Sequence, residues 1–160
     1  MNLASLNDLA ETLGVTRDEA NAALKRYVHP ECVPATATGQ LRLFNRDSAL
    51  LFAFALAARR AGFFPEQVRA MTLDIGRKLG RRGADLVVIT DDGACSLCAG
   101  TQVECGPWWQ AGVKSLRVVN LAPLRDAVDA AIRQTAARYG DVPRKVDGGW
   151  LKERHTRENA

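Results

Sequence analysis

The stretch "LNDLAETLGVTRDEANAALKRY", Leu6 to Tyr27, decides how the first half of this chain is read. Ser5 stands before it with Asp8 three residues on, the pattern of a helix N-terminus. Leu6, Leu9, Ala10 and Leu13 recur at helical spacing and make one apolar face. Gly14 follows, where a left-handed residue ends a helix. Thr16 then caps a second helix, with Glu19 at the reciprocal position of a capping box. Ala20, Ala23, Leu24 and Tyr27 form its inward face. At about 100° per residue, Asp18, Ala22 and Lys25 point outward, flanked by Asn21 and Arg26. Two helices around a short Gly-containing turn make a helix-turn-helix pattern, whose second helix offers its outer face to the major groove. Asn reads adenine, Arg and Lys reach guanine or phosphate, and Ala touches a thymine methyl. Asp18 is an awkward neighbour for phosphate but can accept from cytosine. Thr16 and Arg17, at the start of the helix, complete the DNA-binding candidates of this segment. The same residues also fit a plain helical hairpin with a solvated face.

Around this stretch lies a chain of 160 residues, enough for one medium domain or two small ones. Apolar residues make up 47% and aromatics 6%, so the core is built from Ala, Leu and Val rather than from rings. The net charge of +4 and pI near 9.1 lean modestly toward an anionic partner. The most apolar run, "ALLFAFALAA" (Ala49 to Ala58), is far short of the ~20 residues a bilayer needs. The N-terminus is amphipathic and has no basic segment of the secretory kind. The expectation is a cytoplasmic protein without a membrane partner, whose four cysteines are free or metal-bound rather than paired as disulfides.

Downstream, His29 to Pro34 carries two prolines and breaks the helix. Thr36, Thr38, Gly39 and Gln40 give turn chemistry between β-prone residues, which predicts a short hairpin. From Asn45 or Asp47, either of which can cap, a helix runs to about Ala61, and Gly62 stops it. Pro65 opens a further helix to about Leu79. Character changes at Gly83. "DLVVIT" (Asp85 to Thr90) reads as a buried strand, "DDG" as a turn, and Cys95 onward as an irregular loop. "SLRVVNL" (Ser115 to Leu121) reads as a second strand. Pro123 starts a helix with a stripe of Leu124, Val128, Ala131, Ile132 and Tyr139, and Gly140 ends it. The stripe and the strand edges suit self-association of a small α+β unit. Residues 141–160 read as a charged mobile tail.

The segment "GQLRLFNRDSALLFAFALAARRAGFFPEQVRAM", Gly39 to Met71, resembles the MerR family of transcription regulators. That family follows its helix-turn-helix with a Gly-aromatic-Arg-x-aromatic wing. Here the wing is Gly39-Gln40-Leu41-Arg42-Leu43-Phe44, with one residue more between Gly and Arg and Leu41 at the aromatic position. Asp47, Arg59, Arg60, Gly62 and Phe63 match later positions, and Glu66, Gln67 and Val68 match the start of the next helix. The resemblance covers roughly residues 3–79. The family's aromatic-aromatic-Glu run appears only as Arg26-Tyr27-Val28, and its long dimerising helix is absent. The resemblance implies a winged helix-turn-helix in which the wing lies along the DNA backbone and Arg42 touches phosphate. It adds Thr38, Gln40, Arg59 and Arg60 to the candidate contacts. Arg42 also fits a solvated strand residue, and Arg59 and Arg60 also fit the C-terminal end of a helix dipole.

The expected fold is therefore mainly α (α+β), in three parts. Residues 1–82 form the winged helix-turn-helix, 83–140 a small strand-loop-strand-helix unit, and 141–160 the tail. Cys95, Cys98 and Cys105 are candidate zinc ligands, since thiolates two residues apart can share a tetrahedral ion. No fourth ligand lies at standard spacing. A reversible Cys95–Cys98 disulfide and plain packing under Trp108 and Trp109 stand beside zinc. Neither histidine has an acid–base or nucleophile setting, so catalysis is not expected. The expected function is a sequence-specific transcriptional regulator that binds double-stranded DNA as a homodimer. A phage-type assembly factor, of the small-terminase or excisionase kind, and a protein-binding adaptor are the rivals.

Overall fold

The computed structural model describes residues 3–36, 41–79, 85–98 and 112–140. Thr38, Gln40, Cys105, Trp108, Trp109, the boundary at 80–84 and the tail lie outside the described residues. The described part is mixed α+β, with five α-helices and two small antiparallel sheets. Among the described residues no helix is long and apolar enough to cross a membrane.

The first elements are β1 (Leu3–Ser5), α1 (Leu6–Leu13) and α2 (Arg17–Tyr27). Ser5 caps α1 by accepting from the Asp8 N–H at 3.1 Å. Gly14 takes φ 68°, and the Val15 N–H returns to the Ala10 carbonyl at 2.9 Å, which closes the helix. The Thr16–Glu19 capping box forms in full. Leu6, Leu9, Ala10, Ala20, Ala23 and Leu24 are all buried, so the helical periodicity read from sequence is the one the packing uses.

A single 3-10 turn (Pro30–Cys32) follows α2. Thr72 anchors this link, accepting from the His29 N–H at 3.0 Å. The expected wing hairpin takes another form. β2 (Leu43–Asn45) pairs not with the residues just before the turn but with β1, in the register Leu3↔Asn45, Ala4↔Phe44 and Ser5↔Leu43. Phe44 is fully buried, whereas Pro34 has no N–H to give a ladder between residues 33–36 and β2.

Asn45 caps α3 (Arg46–Arg60) by accepting from the Ser48 N–H at 2.8 Å. This is the central helix, with nine of its residues from Ala49 to Ala58 buried. α4 (Pro65–Gly76) packs against α3 and α2. β3 (Leu86–Thr90) is the middle strand of the second sheet, between β4 (Cys95–Cys98) and β5 (Leu116–Asn120). Its Asp91-Asp92-Gly93 turn forms as expected. Cys95–Cys98, expected as loop, is strand because β3 offers it a free edge.

The last helix is α5 (Ala122–Tyr139). It packs on α1, β1 and α3 rather than on the neighbouring sheet. Val128, Ala131 and Ile132 join Leu9, Phe44 and Phe52 in one continuous core. The stripe expected to meet a second copy is thus spent inside the chain. α5 closes the hydrophobic core of the first half.

The seam is also polar. Asp8 is fully buried. Its carboxylate accepts from the Ser5 and Thr135 hydroxyls, the latter at 2.6 Å, and lies 2.9 Å from Arg138. Thr135 accepts in turn from the Ser5 N–H at 2.8 Å. A buried carboxylate is tolerable only with such partners. They come from the N-terminal cap of α1 and the last turns of α5.

Candidate nucleic-acid interface

The outer side of α2 is built by its own cap. Glu19 turns back to the Thr16 N–H at 2.7 Å and hydroxyl at 2.9 Å. Those two bonds hold its carboxyl below the ordinary value, the backbone one contributing most. Its charge is therefore committed to the helix start. Asp18 stays exposed beside it, where a negative charge complements the helix dipole. Arg17, Ala22, Lys25 and Arg26 are exposed and Asn21 is half-buried. Each of the α2 candidates thus lies on the accessible part of the helix.

Lys25 and Arg42 border one groove of about 420 Å³. Its floor is Leu24, Val28, Val33 and Pro34. The Arg42 carbonyl accepts from the Leu6 N–H at 3.2 Å, which pins the base of the β2 arm to the start of α1. α2 and this arm are thereby fixed to the same framework. The groove residues Val28 to Pro34 were legible only as a helix break. The two prolines were their sole signal, and prolines do not say which way the chain turns.

The structure draws Arg59 away from the set. Its guanidinium donates to the Phe63 carbonyl and lies 5.2 Å over the Tyr27 ring. Through these contacts it ties the end of α3 to α2. Arg60 remains exposed, with one donor on the Leu13 carbonyl at 3.1 Å. Among the described residues Arg17, Lys25, Arg26 and Arg42 have no carboxylate partner.

Of the cysteine motif, Cys95 and Cys98 are described, and these two diverge. Cys95 and Cys98 are three residues apart on one strand, so alternation sends them to opposite faces. Cys95 lies in the main core, and Cys98 in a separate cluster with Val88. One tetrahedral ion or one disulfide cannot take both without breaking β4. Among the described residues no three His, Cys, Asp or Glu side chains gather as a metal site. Burial pushes the Cys95 thiol up to about 11 and also raises Cys32 and Cys98. These are protonated, packed thiols at neutral pH.

Neither a known protein family, nor a curated protein, nor a solved structure was found to match this chain.

Proposed function

We propose that the chain binds double-stranded DNA through the outer side of α2 and the base of the β2 arm, as a winged helix-turn-helix transcriptional regulator with no chemistry of its own. The observation that carries this reading is the unpaired cationic set. Arg17, Lys25, Arg26 and Arg42 lack acidic partners among the described residues, while Glu19 nearby is committed to a cap. A polyanion supplies what these side chains lack, with release of counterions. The resemblance of residues 39–71 to MerR regulators supports the same reading. Asn21 and Ala22 are the base readers in this scheme, and Lys25, Arg26 and Arg42 the phosphate contacts.

The reading includes a pair of chains on two half-sites about one helical turn apart. Because the α5 stripe is internal, the contact between copies would use another surface. Selection of bound fragments from genomic DNA tests binding and half-site spacing together. Enrichment of a two-fold sequence, with retention falling steeply as salt rises, supports the proposal. Enrichment of nothing, or salt-independent retention, overturns it.

A further inference from the structure

A second cleft shares no lining residue with the groove beside α2. It lies between the α3–α4 corner and the open end of the β4-β3-β5 sheet, with a volume of about 250 Å³. That is below the ~300–1,000 Å³ of pockets for drug-sized ligands and suits a small metabolite.

Its lining carries two opposite charges held apart. Arg117 stands opposite Ile89 in the β3–β5 register, on the sheet face turned to the helices. Its guanidinium lies 4.7 Å over the Phe63 ring. The ring covers one flat side and leaves the N–H edges available. Asp91 follows β3 two residues after Ile89, in the turn beyond the strand end, and lines the same cleft. Arg117 and Asp91 do not pair with each other, and among the described residues Arg117 has no carboxylate partner. Among the described residues Asp91 accepts one long bond, from the Lys114 N–H at 3.4 Å. Phe64 borders the same cleft. It is 68% exposed, an unusual state for a phenylalanine held at a helix start.

A cation, an anion and an exposed ring around one small space describe a ligand with both charges and an apolar side. We propose that this cleft binds a free α-amino acid with an apolar side chain. Its carboxylate sits on the Arg117 edge, its ammonium faces Asp91, and its side chain lies against Phe64. A zwitterion spans the gap that the two protein charges cannot close by themselves. The DNA reading is not needed for this inference, and the test uses the free chain.

The experiment is isothermal calorimetry of the full chain with millimolar leucine or phenylalanine, beside N-acetyl-leucine and leucine methyl ester. Saturable binding of a free amino acid that both blocked analogues lack is the expected result. D91N and F64A should each weaken it, D91N by about tenfold or more, as for loss of a charge-assisted bond. Arg117 also packs on Phe63, so R117K is used beside R117A, with circular dichroism confirming the fold. No heat with any free amino acid overturns the proposal. Equal binding of N-acetyl-leucine removes Asp91 from the site and overturns it as well.

Discussion

Two regions of this molecule treat charge in opposite ways. Along α5, charges are paired with opposite charges of distant segments: Arg138 with Asp8, Asp129 with Arg46 at 2.7 Å, and Arg125 with Asp85 at 2.7 Å. Across the groove at α2, the cations have no such partner among the described residues. In the seam, charge sits where two elements must be held in register. At Asp8 it is buried, where salt screens it little. On α2 the charge faces outward and does nothing for packing, which leaves it to an external anion. The contrast separates residues that hold the fold from residues available for binding, and mutations should respect it.

The largest effect should come from the apolar support shared by both regions. Leu24→Ala removes the buried anchor of α2 and should cost about 2–5 kcal/mol in urea unfolding. A loss under about 1 kcal/mol would mean that α2 is not fixed to the core as described. Next comes the seam. Thr135→Val orphans the Ser5 N–H and one bond to Asp8, and should cost about 2–3 kcal/mol. The same variant should leave DNA affinity per folded molecule unchanged. A specific loss of affinity there would erase the distinction between the two regions.

Smaller effects sharpen it. Thr16→Ala removes the cap of α2 and should cost about 1 kcal/mol at neutral pH. The Glu19 carboxyl is held below its ordinary 4.5 in the folded chain. Its stabilising contribution is therefore present above that value and lost as pH falls through the folded value. The gap between wild type and Thr16→Ala should shrink in acid; a gap that widens contradicts the capping box. Replacing Lys25 and Arg26 together by Ala should change stability by less than about 0.5 kcal/mol. The same variant should flatten the salt dependence of DNA binding, by about one unit of slope for each phosphate it no longer neutralises. Smallest of all, Cys95 should resist alkylation in the native chain at neutral pH and react fully after denaturation, as read by peptide mass mapping. Ready native labelling would place that thiol outside the core.

Much of the local structure was legible beforehand because it depends on neighbours a few residues apart. Ser5 with Asp8, Thr16 with Glu19, Gly14 and Gly140 marked helix ends that the structure reproduces. The α2 candidates were legible for the same reason, since outward and inward positions follow from helical period. Pairings between distant segments were not legible. β2 could have turned back on residues just before it, but it pairs with β1, and Phe44 is buried. The Cys95-x-x-Cys98 spacing suggests a chelate in a loop and opposite faces in a strand. Nothing within the motif decides between loop and strand; the open edge of β3 does.

By itself, the sequence determined where helices start and stop and which side of α2 is polar, because capping and periodicity act within one or two turns. The tertiary structure alone decided that α5 serves the first half of the chain, that Arg59 reaches the Tyr27 ring, and that Asp8 is buried. Each of those outcomes depends on partners as far away as Thr135 from Ser5. An apolar stripe or an arginine looks the same in sequence whether its partner is another segment, another copy or DNA. Only the burial of each side chain and the place of its partner distinguish them.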